Sequence, residues 1–339
     1  MYEIDFLPVG DGGRSGDAIA MRFTRPETGG YAHVIVDAGF KEDGEALVEH
    51  VKNYYNTTSI DLAILTHPDG DHIGGMGEVV RGLAVKELWL HDLSGRGGAG
   101  LPAADAVDDL IEVAGQQGTV VREAFAGRSA FGDALFIIGP TAEYYEQLVA
   151  EEQQVAKAAV EGRAMSFGSS VSVLAQRFLA ALPVEIPFGD AGGTSPRNNT
   201  SMITLLQLDG QKLLLTADAG VPALDRALDW VEEQGARVYQ PEFAQLPHHG
   251  SRHNASSKFL DRLLGPTGEA PSRTAFVSVT KEAEKHPSPR VANGFMRRGY
   301  NVYPTHGQPI CHHSGDAPDR GWTNLTPLAP LDESLEDDD

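Results

Sequence analysis

Only one cysteine, Cys311, occurs in 339 residues, so no disulfide can form within the chain and a reducing compartment is expected. Long hydrophobic runs are missing as well. No stretch of eighteen apolar residues exists, which excludes an ordinary membrane-spanning helix. The opening residues Met1-Tyr2-Glu3-Ile4-Asp5 have neither the basic segment nor the apolar core of a secretion signal, and a cytoplasmic location without membrane contact is expected. Basic residues are scarce: 27 Lys and Arg stand against 48 Asp and Glu, a formal charge of −21. Six of the acids fall in the tail 332–339, which leaves about −15 on the body. A long polyanion would be repelled, although salt shortens that reach to about 8–10 Å. Aromatics are few, at 7%, and no basic-aromatic stripe for stacking single strands is visible. These shortages argue against a broad nucleic-acid surface. They leave open a small phosphodiester held at bound cations, which restore positive potential locally.

What is abundant is turn chemistry, with 38 glycines and 20 prolines, and one dense loop. The apolar run Leu62-Ala63-Ile64-Leu65 leads straight into Thr66-His67-Pro68-Asp69-Gly70-Asp71-His72-Ile73-Gly74-Gly75. His67, Asp69, Asp71 and His72 thus stand within six positions at the end of a strand. Imidazole nitrogen and carboxylate oxygen both bind Zn²⁺ at about 2.0–2.2 Å and also suit Mn²⁺. Two crowded carboxylates would repel each other without a cation. The spacing lets His67 and Asp69 face one ion and Asp71 and His72 another, and two ions about 3.5–4 Å apart form a hydrolytic clamp.

His67-x-Asp69-x-Asp71-His72 resembles the His-x-[His/Asp]-x-Asp-His signature of the metallo-β-lactamase superfamily, in the variant with Asp at the second position. With Gly74-Gly75 behind it, the loop is similar to the domain at the end of ComEC-type competence proteins and their free-standing relatives. The resemblance implies an α/β fold, a four-layered αββα sandwich over residues 1–330, with the site where strand ends of both sheets converge. It also implies two divalent ions, Zn or Mn, as cofactors.

A strand is expected at Tyr2–Pro8 and apolar runs of strand length occur at Ala18–Phe23 and His33–Asp37, followed by helical spacing over Glu45–Tyr55 and a further strand at Glu87–Leu90. Asp17 and Asp37 match the glycine-rich turn and strand-ending Asp-x-Gly of the family. Asp37 reads either as a carboxylate that orients the metal loop or as a turn residue. His91 and Asp92 either border the site or end a strand in solvent. A helix is expected over Ala103–Gln117 and a strand over Ala134–Gly139. Residues 141–197 change character and read as a helical insertion, with runs at Glu143–Val160 and Val171–Ala181, serving as a lid, a partner-docking surface or an outer packing layer.

Asp209-Gly210 joins the strands Met202–Leu208 and Lys212–Thr216 as a tight hairpin. Beyond it stands Asp218, which the resemblance makes the carboxylate bridging both ions. Most superfamily members have a histidine before this hairpin. Here Asn198 and Asn199 take its place, with Asn199 the metal donor and Asn198 beside it, so the first ion position is expected to be oxygen-rich, to hold zinc weakly and to prefer Mn²⁺. A helix at Pro222–Gln234 and the strand Val238–Leu246 lead to Pro247-His248-His249-Gly250-Ser251. His248 is expected as ligand of the second ion and His249 as a substrate-facing group, with the reverse assignment open. A helix at Ser256–Leu264, capped by Asn254 or Ser256, precedes the strand Thr274–Val279. Ser278 and His286 match a further family motif; His286 would donate to a phosphoryl oxygen or protonate a leaving group. Lys281 and Lys285 are candidates for substrate phosphate. His312 and His313 point to opposite sides of an extended segment and read as surface residues, and the tail 331–339 reads as an acidic, disordered end.

The functional expectation is a binuclear phosphodiesterase or nuclease using a metal-bound hydroxide, with Asp71, His249 and His286 as catalytic groups. One alternative is a hydrolase of a small ester, lactone or thioester. Another is a regulatory subunit that keeps the metal fold and binds a protein partner through the insertion.

Overall fold

The computed structural model describes residues 1–160, 185, 187–189, 193–321 and 324–335. The helical run expected at Val171–Ala181 lies outside the described residues. Two seven-stranded sheets stack face to face. The first contains β1 (Tyr2–Phe6), β2 (Ala18–Thr24), β3 (Tyr31–Ala38), β4 (Ser59–Ile64), β5 (Ala84–Trp89), β6 (Val120–Arg122) and β14 (Ile310–His313), in the order β14-β1-β2-β3-β4-β5-β6. The second contains β7 (Ser129–Ala130), β8 (Leu135–Gly139), β9 (Ile203–Leu208), β10 (Gln211–Leu215), β11 (Phe243–Gln245), β12 (Glu269–Val277) and β13 (Arg298–Pro304), in the order β13-β12-β11-β10-β9-β8-β7.

Strands buried on both faces read as near-continuous apolar runs, and the buried charges in β1 and β2 are paired, Arg22 Nε donating to Glu3 Oε2 at 2.6 Å. One set of side chains fills the space between the sheets, where Phe6, Phe243 and Phe276 meet edge to face at 5.1–5.9 Å. The other faces are covered by helices, which completes four layers. Helices α1 (Lys41–His50), α3 (Met76–Gly82) and α4 (Ala104–Gln116) cover the first sheet with Leu47, Val79, Val80 and Leu110. A single turn, α2 (Gly70–Ile73), stands between α1 and α3, where the sequence indicated only loop. Helix α5 (Ala142–Val160) adds Tyr145 and Val149 to that outer layer. Helices α6 (Val221–Glu233), α7 (Ser257–Leu264) and α8 (Pro289–Arg297) cover the second sheet with Leu224, Leu228, Phe259 and Phe295. Ser256 caps α7, its hydroxyl accepting from Phe259 N at 3.2 Å.

Two parallel pairs position the site. β3 runs parallel to β4, with Val36 opposite Ile64, and β10 runs parallel to β11, with Leu214 opposite Ala244. Their carboxyl ends therefore deliver Asp37 beside the 65–75 loop, and Asp218 beside His248 and His249, to one edge of the sandwich. Ligand sites in α/β sheets form at such carboxyl ends.

Three expectations need correction here. β12 starts at Glu269, earlier than the sequence indicated, because Pro271 is accommodated at a register shift between Glu269 and Arg273. His312 is not a free surface residue: its ring stacks on Phe243 at 5.0 Å, while His313 is exposed. The start of the tail is docked, since Asn293 Nδ2 donates to Leu331 O and Glu333 Oε1, both at 2.8 Å, and Arg297 pairs with Glu333. No helix among the described residues is long and apolar enough to cross a membrane.

A candidate metal centre at the strand ends

The 65–75 loop is pressed against its neighbours. A Cβ on Gly16 would strike the Asp71 carbonyl, and one on Gly75 would strike the Ala38 carbonyl, so glycine is required at both close approaches. Within this frame the ring orientation of each histidine follows from what its Nδ1 does. His72 Nδ1 donates to Asp37 Oδ2 at 2.7 Å. Thr66 Oγ1 also donates to that oxygen, at 2.6 Å, which leaves the hydroxyl free to accept from His67 Nδ1 at 3.1 Å. His249 Nδ1 donates to Ser278 O at 3.0 Å. His248 Nδ1 donates to Asn254 Oδ1 at 3.0 Å, because Asn254 Nδ2 is committed to Asp218 O at 2.8 Å and fixes that amide. All four rings thus turn an Nε2 lone pair inward. Metal-binding imidazoles are commonly tied in this way, one nitrogen hydrogen-bonded so that the other is held toward the ion.

Asp218 stands in the middle with one oxygen for each side. Its Oδ2 is 3.8 Å from His67 Nε2 and 3.4 Å from His248 Nε2; its Oδ1 is 3.5 Å from His72 Nε2 and 3.9 Å from His249 Nε2. Asp69 Oδ2 lies 3.7 Å from His67 Nε2, and Asp71 Oδ2 lies 3.7 Å from His249 Nε2. These gaps are too long for hydrogen bonds. They match two donors that each reach a shared ion at about 2.0–2.2 Å and so stand roughly 3–4 Å apart. Consistently, the buried atoms His67 Nε2, His72 Nε2, His249 Nε2 and Asp218 Oδ1 have no hydrogen-bond partner among the described residues. Orphaned buried polar atoms demand an explanation, and these donor types are ones that suit a divalent metal.

The electrostatics agree with this. Burial opposes charge on Asp218, yet the imidazoles of His248, His72 and His249 hold its carboxyl well below the ordinary carboxylate range. Burial likewise disfavours charge on His72 and His249, but Asp218 overrides it. Asp218 and Asp37 raise His72 well above its usual value, and Asp218 with Asp71 brings His249 to about 9. A field that draws protons to these rings draws a divalent ion in competition with them.

The geometry bears on two of the expected assignments. His249, not His248, faces Asp71 and His72, while His248 faces the His67 side of Asp218. The reason is the backbone: both histidines are left-handed, at φ 46° and 54°, so consecutive rings turn into one site instead of to opposite sides. The Asn199 Oδ1 expected as a metal donor accepts from Gly220 N at 3.1 Å and braces the turn that carries Asp218. Asn198 lies beside His248, Nδ2 to Nδ1 at 3.2 Å, with its Oδ1 accepting from Ser195 Oγ.

The other candidates spread around this core. Asp37 orients His72 and Thr66, as described. The His286 ring centroid is 6.3 Å from that of His248, and burial, with the His249 and His248 charges, lowers it to about 4, so near neutrality it is an uncharged imidazole able to donate one hydrogen bond. Ser278 is buried with its hydroxyl unpartnered among the described residues. Lys281 and Lys285 are exposed on the loop that leads to His286. His91 is neither at the site nor solvated: it is buried, stacked on Phe125 at 4.6 Å, with Nε2 donating to Ala124 O.

Residues that the sequence did not single out complete the site. Arg197 Nη1 donates to Asp69 Oδ1 at 3.0 Å, and its Nε donates to Glu152 at 2.6 Å. Gln245 Oε1 accepts from Thr216 N and Ala217 N, both at 3.0 Å, and its Nε2 donates to Asp17 Oδ2 at 2.8 Å. Beside Asp69 and Arg197 opens a cavity of about 380 Å³, walled by Leu101, Pro102, Val155, Ala156 and Pro196.

Two stacked sheets between helical layers, with a histidine–aspartate cluster at the strand ends, are the architecture of the metallo-β-lactamase fold. Residues 27–126, which include the whole 65–75 loop, match the family model of the metallo-beta-lactamase superfamily. The matched stretch runs from just before β3 to just after β6. No curated protein matches it. Among solved structures, the chain is similar to the metallo-beta-lactamase fold protein YhfI from Bacillus subtilis, at 10% identity and TM-score 0.43, over 92% of this chain and all of that one (100%). It is also similar to a Cronobacter sakazakii metallo-beta-lactamase with a HARLDQ motif, at 12% identity and TM-score 0.35, over 67% of this chain and 70% of that one.

Proposed function

We propose that this protein is a metal-dependent hydrolase with two ion positions, and that its substrate is a phosphodiester. The observation that carries the reading is the convergence of four Nε2 lone pairs on the two oxygens of Asp218, each ring tied back at Nδ1. On one side stand His67, Asp69 and His248; on the other stand Asp71, His72 and His249. Divalent ions held there would supply Lewis-acid polarisation of the scissile group and a nucleophile near neutral pH. The chain's own groups then orient the reaction. His286, as a neutral imidazole beside His248, would donate to a non-bridging oxygen, and Asp37 and Thr66 keep the loop in register. The resemblance of the loop to ComEC-type domains supports nucleic acid or a smaller diester as the substrate class, and the charge of −21 favours the smaller.

The cavity beside Asp69 supports a second reading. Its apolar walls suit the hydrocarbon arm of a small ester, lactone or thioester better than a polyanion. The two readings part in one experiment. The protein, with its metal content measured, is offered a bis-aryl phosphodiester and an aryl acetate at equal Zn²⁺ or Mn²⁺ loading, beside Asp71→Ala. Diester turnover lost in the folded variant is the expected result. Turnover of the acetate alone would move the ester reading to first place, and full activity in metal-replete Asp71→Ala would remove the metal mechanism altogether.

A further inference from the structure

Asp17 stands outside the donors on the two sides of Asp218, yet its surroundings are those of a built site. It lies on the deep side of the cluster, its carboxyl 1% exposed, in the turn before β2. Its backbone is clamped on both sides: Asp17 N donates to Asp71 O at 3.2 Å, and Gly39 N donates to Asp17 O at 2.8 Å. Gln245 is held by two backbone N–H groups at its oxygen, so its amide can only donate to Asp17, and it fixes Oδ2. The other oxygen, Oδ1, has no hydrogen-bond partner among the described residues. A carboxyl oxygen of Asp17, one of Asp218 and a ring nitrogen of His249 all lie within 4.8 Å of one another, as do ligand atoms of Asp71, His72 and His249. Two buried carboxylates in such proximity are costly unless a cation lies between them.

We infer that Asp17 is a further donor to the ion position of Asp71, His72 and His249, which with Asp218 gives that position five protein donors, three of them carboxylates. Five donors exceed the four of a closed tetrahedral zinc site. Carboxylate oxygen in excess favours a five- or six-coordinate ion such as Mn²⁺. The oxygen-rich position is then the Asp71 side, not the His67 side that the asparagines indicated. The inference rests on the proposal that the cluster holds metal, and it goes further by assigning the coordination of one ion.

The test uses Co²⁺ as the probe. Chelator-treated wild type and Asp17→Asn are titrated with Co²⁺, bound metal is counted by elemental analysis, and visible absorption reports coordination number. Asparagine preserves volume and an oxygen for Gln245. The expected result is a wild type in which one ion shows the weak bands of five- or six-coordinate cobalt, and a variant that binds that ion at least about tenfold more weakly, with the stronger bands of lower coordination. Wild type that binds no cobalt would overturn the metal proposal itself. Wild type that binds two ions, with affinity and spectrum unchanged in Asp17→Asn, would overturn only the inference and leave Asp17 as a buried counter-charge to His249. Should the variant not fold, the wild-type spectrum still decides: intense four-coordinate bands for both ions would exclude a fifth donor.

Discussion

Asp37→Asn isolates the group on which the metal loop depends. Asp37 sits at φ 54°, a left-handed conformation that asparagine adopts as readily as aspartate, so the substitution leaves the backbone unstrained. The carboxylate accepts three hydrogen bonds: Oδ1 from Thr66 N at 2.8 Å, and Oδ2 from Thr66 Oγ1 at 2.6 Å and His72 Nδ1 at 2.7 Å. An amide has one acceptor and one donor, so either orientation sets N–H against N–H. If the nitrogen takes the Oδ1 position, Thr66 N loses its partner. If it takes the Oδ2 position, His72 must move its proton to Nε2 and loses the lone pair that faces Asp218.

One unsatisfied buried donor costs about 1–3 kcal/mol of stability. Loss of a carboxylate behind a metal-ligating histidine lowers metal affinity by about 10–100-fold. Both quantities are accessible: urea unfolding of the metal-free proteins gives the first, and competition with a chromogenic chelator gives the second. Two ions bound at wild-type affinity, with stability unchanged within about 0.5 kcal/mol, would refute the argument that the Asp37 carboxylate fixes His72.

Four further outcomes are expected. Burial lowers His91 to about 3, so between the ordinary histidine value and that pH only the unfolded chain takes up this proton. The contribution is therefore complete above about pH 6.5 and declines as pH falls, by about 2 kcal/mol at pH 5. His91→Gln should remove that part of the pH dependence in urea unfolding at pH 7 and 5, and an unchanged slope would contradict it. Phe276→Ala deletes a fully buried ring in edge contact with Phe6, Phe243 and Tyr303, and should cost about 3–5 kcal/mol by denaturation; a cost under about 1 kcal/mol would mean that the two sheets do not depend on it. Arg298, 1% exposed, joins Glu185, Asp261 and Gly294 O, so Arg298→Ala should lose about 3 kcal/mol, part of which Glu185→Gln restores in the double variant. Arg197→Gln removes a cation from Asp69 and should tighten the weaker ion by roughly 1 kcal/mol in calorimetric titration; weaker binding would instead make Arg197 a support for Asp69.

How far the sequence reached depended on the distance over which each contact is made. His67, Asp69, Asp71 and His72 are legible because one strand and one turn carry all four. The hairpin at Asp209-Gly210 is equally local, and both residues adopt the positive φ that its turn needs, at 51° and 80°. Continuous apolar runs announced most of the buried strands, although the run at Val238–Leu246 shrinks to β11, Phe243–Gln245, and the short β6 and β7 carried no such run. The supporting groups were hidden for the opposite reason. Gln245 reaches Asp17 across 228 positions and Arg197 reaches Asp69 across 128, so neither pair has a spacing to recognise. The order of His248 and His249 was beyond pattern as well. Alternation assigns neighbours to opposite faces, and two consecutive non-glycine residues in the left-handed region are too rare to assume.

The same contacts show that the two sides of Asp218 are not equivalent, and that difference bears on how the centre would work. On the His67 side the one additional carboxylate, Asp69, already shares an oxygen with Arg197, whose positive charge stands where it weakens attraction for a second cation. The cavity also opens there, so an ion on this side would be partly ligated by whatever occupies the cavity. On the His72 side, Asp37 buttresses one imidazole, the Ser278 carbonyl another, and Asp71 and Asp218 face the rings with carboxylate oxygens. With metal bound as proposed, a deep, well-supported position next to an open, weakly held one would divide the work. The first would anchor Asp218, and the second would exchange protein ligands for substrate oxygen. Asp218, buried and with its backbone carbonyl held by Asn254, turns one carboxylate oxygen to each side, so a shift of that carboxylate on the open side would be felt on the deep side.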